Sequence, residues 1–109
     1  MSEYVRRRDR GQCITCGKTA EWKYMQAGHF AHINALNFCE ENINCQCPTC
    51  NYTMKWDTSL AYTYGANINL KFGPKTVESL EARRHEIHKF SRTELEEIIK
   101  NLEEKIKKL

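Results

Sequence analysis

The chain has 109 residues, enough for one domain, and only 40% of them are hydrophobic, a lean allowance that calls for an external staple on the core. Seventeen basic residues against 14 acidic ones give a net charge of +3, which is compatible with nucleic acid but does not demand it. No apolar run is long enough to span a bilayer, which excludes a helical membrane protein.

The start, "MSEYVRRRDRGQ", lacks the apolar core of a secretion signal. The expected location is therefore a reducing cytoplasm, where six cysteines serve metal ligation better than disulfides. Residues 3–10 are predicted as a short helix capped by Ser2. Within it "RRRDR", residues 6–10, sets four arginines in five positions, which taken alone reads as a solvated helix face. "CITCGK" is a tight knuckle, with Gly17 suited to the turn. "EWKYMQAGHF", residues 21–30, reads as an aromatic-rich strand running into Gly28, residues 31–41 as an irregular loop, and "NINCQ" as a second strand. "PTCNYTMKW" opens on a proline placed for the first turn of a helix.

Asp57 or Thr58 caps the next helix, which runs through "SLAYTYGANINLKF" and stops at Gly73-Pro74, with Leu60, Tyr64 and Ile68 on one face. Pro74 is placed to start another helix carrying Val77, Leu80 and Ile87. Ser91 and Glu94 form a capping box ahead of Leu95, Ile99, Leu102, Ile106 and Leu109. Those five residues make a heptad seam about two heptads long, which serves packing on the chain's own domain or on a second subunit. The expected division is a zinc-bound core with a basic N-terminal helix at 1–73 and a helical extension, a candidate dimer element, at 74–109.

Cys13-x-x-Cys16 pairs naturally with Cys47-x-x-Cys50. A two-residue gap lets two thiolates grip one zinc from a single turn, and two such turns complete a tetrahedron. In a chain this small the metal contributes to folding directly, by an apparent ~10–16 kcal/mol on zinc-peptide precedent. A redox dithiol needs only one such motif beside a strand and helix, which argues against that use. Cys39 and Cys45 are left as packing residues. A four-thiolate site is closed to substrate, so any catalysis must come from neighbouring side chains. His29 lies behind a glycine between the two pairs, where a histidine taken alone reads as structural or solvent-facing.

The pieces "YVRRRDRGQCITCGK", "AGHF", "NFCEENINCQCPTCN" and, more loosely, "AYTYGANINLKFGPKTVESLE" resemble, in order and spacing, the HNH (ββα-metal, His-Me finger) nuclease superfamily, and more narrowly the Rap/NinG recombination nucleases of lambdoid phages. The CxxCN ending is also similar to that of phage endonuclease VII. The resemblance implies an α+β fold: a small zinc-stapled domain with a treble-clef-like ββα-metal core and additional C-terminal helices. It implies a structure-selective DNA endonuclease acting on branched recombination intermediates of the Holliday-junction or D-loop type. If the chain is phage-encoded, the compartment is the bacterial host cytoplasm.

By the same resemblance, His29 is the general base, Asn51 holds a catalytic Mg²⁺ or Mn²⁺ through a hard amide oxygen, and Asn42 braces the loop carrying His29. Many members place an aspartate directly before the histidine, where this chain has Gly28, with Gln26 or Glu40 as candidate substitutes. Ala31 and Asn44 stand where the narrower group usually has an arginine and often a histidine, and His32 is a candidate phosphate contact. With phosphate as substrate, Arg6, Arg7, Arg8, Arg10 and Lys55 become candidate DNA contacts, flanked by Lys18 and Lys23. Trp22, Trp56 and the tyrosines are assigned to the core. Symmetric cutting of a four-way junction needs two active sites, which points to a homodimer. Two other readings fit the cysteines: a non-catalytic zinc-dependent DNA-binding module, and a protein-interaction adaptor built on the same zinc scaffold.

Overall fold

The computed structural model describes residues 1–109 as an α+β fold in which five helices surround one two-stranded antiparallel hairpin. Helix α1 spans Ser2–Arg8. It starts one residue earlier than expected, so Ser2 lies inside its first turn and caps nothing. Glu3 near its start and Arg6–Arg8 in its last turn match the helix dipole.

Strand β1 covers only Gln26–His29, shorter than the expected 21–30. Trp22–Tyr24 form a 3-10 turn instead. That turn lays the Trp22 ring under the guanidinium groups of Arg6 and Arg7, 5.1 and 5.7 Å from its centre, and drops Met25 among the buried cysteines. β2 is Ile43–Gln46, with Gln26 opposite Gln46 and His29 opposite Ile43. The connection between the strands carries two further 3-10 turns, Asn34–Leu36 and Glu40–Asn42.

Helix α2, Pro48–Thr53, opens on the proline as its sequence requires. Asp57 caps α3, Thr58–Phe72, by accepting the Ser59 N–H. Gly73 ends α3 at φ 129°, a conformation that favours glycine. Helix α4, Thr76–Ala82, begins where Asn69 Oδ1 accepts the Val77 N–H at 2.9 Å. It stops before Ile87, which is exposed in the following connection rather than part of a helix face. Both bonds of the Ser91–Glu94 capping box form at the head of α5, Arg92–Lys107.

The core falls into three groups. The cysteines cluster with Met25. Leu36, Tyr64, Ile68 and Leu80 gather α3, α4 and the inter-strand loop, with Phe30 and Val77 packed on them. Tyr4, Val5 and Ile43 form the third group, covered by Leu102 and Ile106. Two residues of the heptad seam therefore turn inward onto α1, while Ile99 and Leu109 stay exposed. Lys105 of α5 reaches Glu40 at 2.6 Å, tying the helix to the same side. Residues 74–109 thus pack on the core at both ends, through Leu80 and through α5.

The aromatics depart from their core assignment. Only Tyr4 and Tyr64 are buried, whereas Tyr24, Tyr52, Trp56 and Tyr62 are exposed. The sulfur cluster and the group around Leu36 and Tyr64 fill the small interior, and Tyr52 of α2 and Trp56 just beyond it pair edge-to-face on the surface.

Candidate functional site

Four cysteine sulfurs, from Cys13, Cys16, Cys47 and Cys50, lie within 4.8 Å of one another. The Cys16 and Cys47 sulfurs are 3.8 Å apart. Tetrahedral zinc with Zn–S near 2.3 Å requires sulfurs about 3.8 Å apart, so the donor set and its spacing fit that ion. The first pair sits on the knuckle closed by Gly17 at φ 78°. The second pair straddles the start of α2, where Cys47 is the N-cap and its sulfur accepts the Cys50 N–H. Cys39 and Cys45 stand outside the four. The Cys39 thiol faces Glu41, and burial, then the charge of Asp9, pushes the Cys45 thiol up to about 11.

Cys50 fixes the position of Asn51, its neighbour on α2. The Asn51 amide donates to Gln26 Oε1 at 2.8 Å. Its oxygen lies 3.0 Å from the point where a Cβ on Gly28 would stand. Gln46, opposite Gln26 on β2, fills the same space: its Oε1 is 1.7 Å from that point, buried, and accepts no hydrogen bond. Gln26, Gly28, Gln46 and Asn51 are thus brought together. Glu40 is committed elsewhere, because its carboxylate accepts from Tyr4 at 2.7 Å and Lys105 at 2.6 Å.

His29 is the last residue of β1 and half-buried. Strand alternation sets Gln26 and Gly28 toward α2 and α3, and Ala27 and His29 on the other face. The His29 ring lies 5.9 Å from that of exposed His32. Burial, and secondarily His32, holds the His29 pKa below the ordinary imidazole value, leaving the ring neutral at pH 7. Just beyond it, the fully buried Asn42 clamps the loop. Its Oδ1 accepts the Ala31 N–H, and its amide donates to the Ala31 carbonyl at 2.9 Å and more weakly to that of Leu36.

The arginines divide. Arg8 turns inward and donates to Asp9, to the carbonyls of Glu40 and Ile43, and to Asn44 Oδ1, which commits most of its donors inside the fold. Arg6 donates to main-chain carbonyls of Ser2 and Trp22 while lying over the Trp22 ring, and Arg7 pairs with Glu3. Arg10 is exposed and lines, with Arg8 and Lys71, a cavity of about 670 Å³ beside the first knuckle; neither His29 nor Asn51 lines it. Lys55 is exposed near the Tyr52 ring.

Sequence reasoning gave no role to Gln46 or to the Asp9–Lys71 pair. The signal for Gln46 was present, since a glutamine in a strand directly before a ligand cysteine is an expensive residue to bury without purpose.

The fold and the four-sulfur group define a small α+β protein built on a zinc-type cysteine knuckle. The chain belongs to the family described as Bacteriophage Lambda NinG protein, whose family model matches residues 1–109. Neither the curated proteins nor the solved structures give a match.

Proposed function

We propose that this protein is an HNH-type endonuclease that hydrolyses phosphodiester bonds in branched recombination intermediates, of the Holliday-junction or D-loop kind. The observation that carries the reading is local: a neutral, half-exposed imidazole ends β1, and the zinc-anchored α2 sets a carboxamide oxygen over the preceding residue of that strand. In this reading residues 1–73 form a treble-clef-like ββα-metal core, made of the first knuckle, the β1–β2 hairpin and α2, and distantly akin to endonuclease VII.

His29 takes the proton from the attacking water. Its depressed pKa keeps it in the base form at neutral pH, and such base catalysis is worth about 10²–10⁴-fold. Because His29 and Gly28 face opposite sides of β1, a phosphate touched from both sides would have to lie at the end of the strand. Asn51, with Gln26 beside it, would hold the divalent cation, Mg²⁺ or Mn²⁺. When bound, that ion neutralises charge on the phosphate and stabilises the leaving 3′ oxygen. Asn42 fixes the loop after His29, so the base is held by its pairing with Ile43 on one side and by a buried carboxamide clamping Ala31 on the other.

DNA is held through its phosphates, with Arg10, Arg7, Arg6, Lys55 and His32 as the side chains left at the surface for that task. The protein is proposed to act in the host cytoplasm and as a homodimer. With Leu102 and Ile106 turned to α1, Ile99 on α5 and Leu109 just beyond its end remain for a second copy.

The test is cleavage of a panel of four-way junctions, D-loops and linear duplexes by zinc-loaded wild type and His29→Ala, with Mg²⁺, with Mn²⁺ and with neither. Metal-dependent cutting of branched DNA, reduced at least about 100-fold in His29→Ala with binding retained, is expected. Equal rates for the two proteins would sink the assignment. Binding without cutting by wild type would establish the second reading, a zinc-dependent DNA-binding module, which the four cysteines and Arg10 also fit.

A further inference from the structure

Gln46 carries a buried oxygen with nothing to accept. The residue is 0% exposed, and its carboxamide is used at one end only. Nε2 donates to Thr15 Oγ1 at 2.9 Å and lies 3.7 Å from Met54 Sδ. The amino end of the carboxamide thus faces Thr15 and the Met54 thioether, a weak acceptor, and the oxygen end faces Gly28. A buried carbonyl oxygen left unpaired is costly, so a native structure that keeps one calls for an explanation.

The oxygen is aimed at a definite place. A Cβ on Gly28 would lie 1.7 Å from Gln46 Oε1 and 3.0 Å from Asn51 Oδ1. Two amide oxygens therefore converge over one glycine. Neither is charged, and both are hard donors of the kind Mg²⁺ and Mn²⁺ accept. Gly28 has ordinary backbone torsions, so what requires glycine there is this space and not the turn of the chain.

We propose that Gln46 Oε1 is a second protein ligand of the divalent cation held by Asn51, reaching over Gly28 from β2, with Thr15 as the residue that positions it. The inference rests on the proposed endonuclease reading for the presence of that cation. It adds where the second ligand comes from in a chain with no acidic residue before its histidine. It also accounts for glycine at position 28: a side chain there would push the Gln46 carboxamide off the site.

Direct Mn²⁺ titration of the zinc-loaded full-length protein, followed by electron paramagnetic resonance with zinc content measured alongside, separates the outcomes. Wild type is expected to bind one Mn²⁺ beside its zinc, and Asn51→Ala to lose it. Gly28→Ala crowds the Gln46 carboxamide at 1.7 and 2.7 Å and the Asn51 oxygen only at the 3.0 Å margin, and is expected to weaken Mn²⁺ on the order of tenfold to a hundredfold, as is Gln46→Met. Gln46→Glu keeps an oxygen at the same reach and adds charge, and is expected to bind Mn²⁺ more tightly than wild type. Loss in Asn51→Ala with wild-type affinity in Gly28→Ala and Gln46→Glu would overturn the role of Gln46 and leave the Asn51 site standing. No Mn²⁺ bound by zinc-loaded wild type would overturn both. If Gln46→Met loses zinc, Gly28→Ala and Gln46→Glu decide.

Discussion

Lys71 Nζ lies 2.6 Å from Asp9 Oδ1, joining α3 to the end of α1 across 62 residues. The same carboxylate accepts from Arg8 and from the Cys45 N–H, so one side chain that is 6% exposed links α1, β2 and α3. Burial alone would raise the pKa of Asp9, but Arg8, the Cys45 amide and Lys71 outweigh it and hold the group below the ordinary carboxylate range. Its folded pKa being depressed, the stability it contributes is full above the unfolded value and is lost as pH falls through the folded one. Asp9→Asn is expected to cost about 3 kcal/mol, the lower end for a broken buried pair because Lys71 keeps some solvent, and to flatten the acid limb of stability. Urea unfolding at pH 3, 5 and 7 checks both.

Asn42→Ala removes all three side-chain hydrogen bonds that hold the loop at Ala31 and Leu36. The expected loss is about 2–3 kcal/mol, since buried main-chain partners are left unpaired. On the endonuclease reading the turnover number falls more than DNA affinity, because the loop positions His29 and carries only one of the proposed phosphate contacts, His32. Chemical denaturation and junction-cleavage kinetics measure the two effects separately.

Zinc removal is expected to abolish cooperative unfolding rather than lower its midpoint, as the four sulfurs staple two otherwise separate turns. Cys16→Ser and Cys50→Ser should lose zinc, whereas Cys39→Ser should keep one equivalent, because its thiol faces Glu41 instead of the cluster. Zinc stoichiometry by colorimetric chelation distinguishes these proteins.

The sequence made these cysteines legible because the chemistry of a knuckle is local, with both ligands of each pair on one turn. The helix ends at Asp57, Gly73 and Ser91 were legible for the same reason. What escaped was set by contacts across the fold. Arg8 reads like its neighbours until Asn44 and the Ile43 carbonyl close around it. Trp56 and Tyr52 read as core until the sulfur cluster is seen to occupy the interior beside α2. Gln46 is an ordinary strand residue until β1 brings a glycine beneath it.

On the endonuclease reading, His29 is expected to give a cleavage rate that rises with pH through a pKa below the ordinary imidazole value and is flat at neutral pH and above. Burial disfavours its charged form, and His32 adds to that when protonated. His32→Ala should move the rise slightly upward, with the plateau compared at saturating DNA because His32 is also a proposed phosphate contact. Single-turnover cleavage between pH 5 and 9 reads the position of the step.

Leu102→Ala is expected to cost about 1–2 kcal/mol, less than full burial would, because this half-buried side chain covers Tyr4, Val5 and Ile43. Ile99→Ala, on the exposed side of α5, should leave the melting temperature nearly unchanged. Thermal unfolding of the two variants compares them directly, and sedimentation of a protein lacking residues 92–109 tests the role of α5 in dimer formation.

Cys47 holds a double post. Its sulfur is one of the four donors and is also the atom that caps α2. A six-residue helix does not persist alone in water. Nucleation of α2 and capture of the ion are therefore one event, and a newly synthesised chain in a metal-starved cell would leave the ribosome with Asn51 on an unformed turn. On the zinc reading, such a protein depends on its metal supply before any substrate is met.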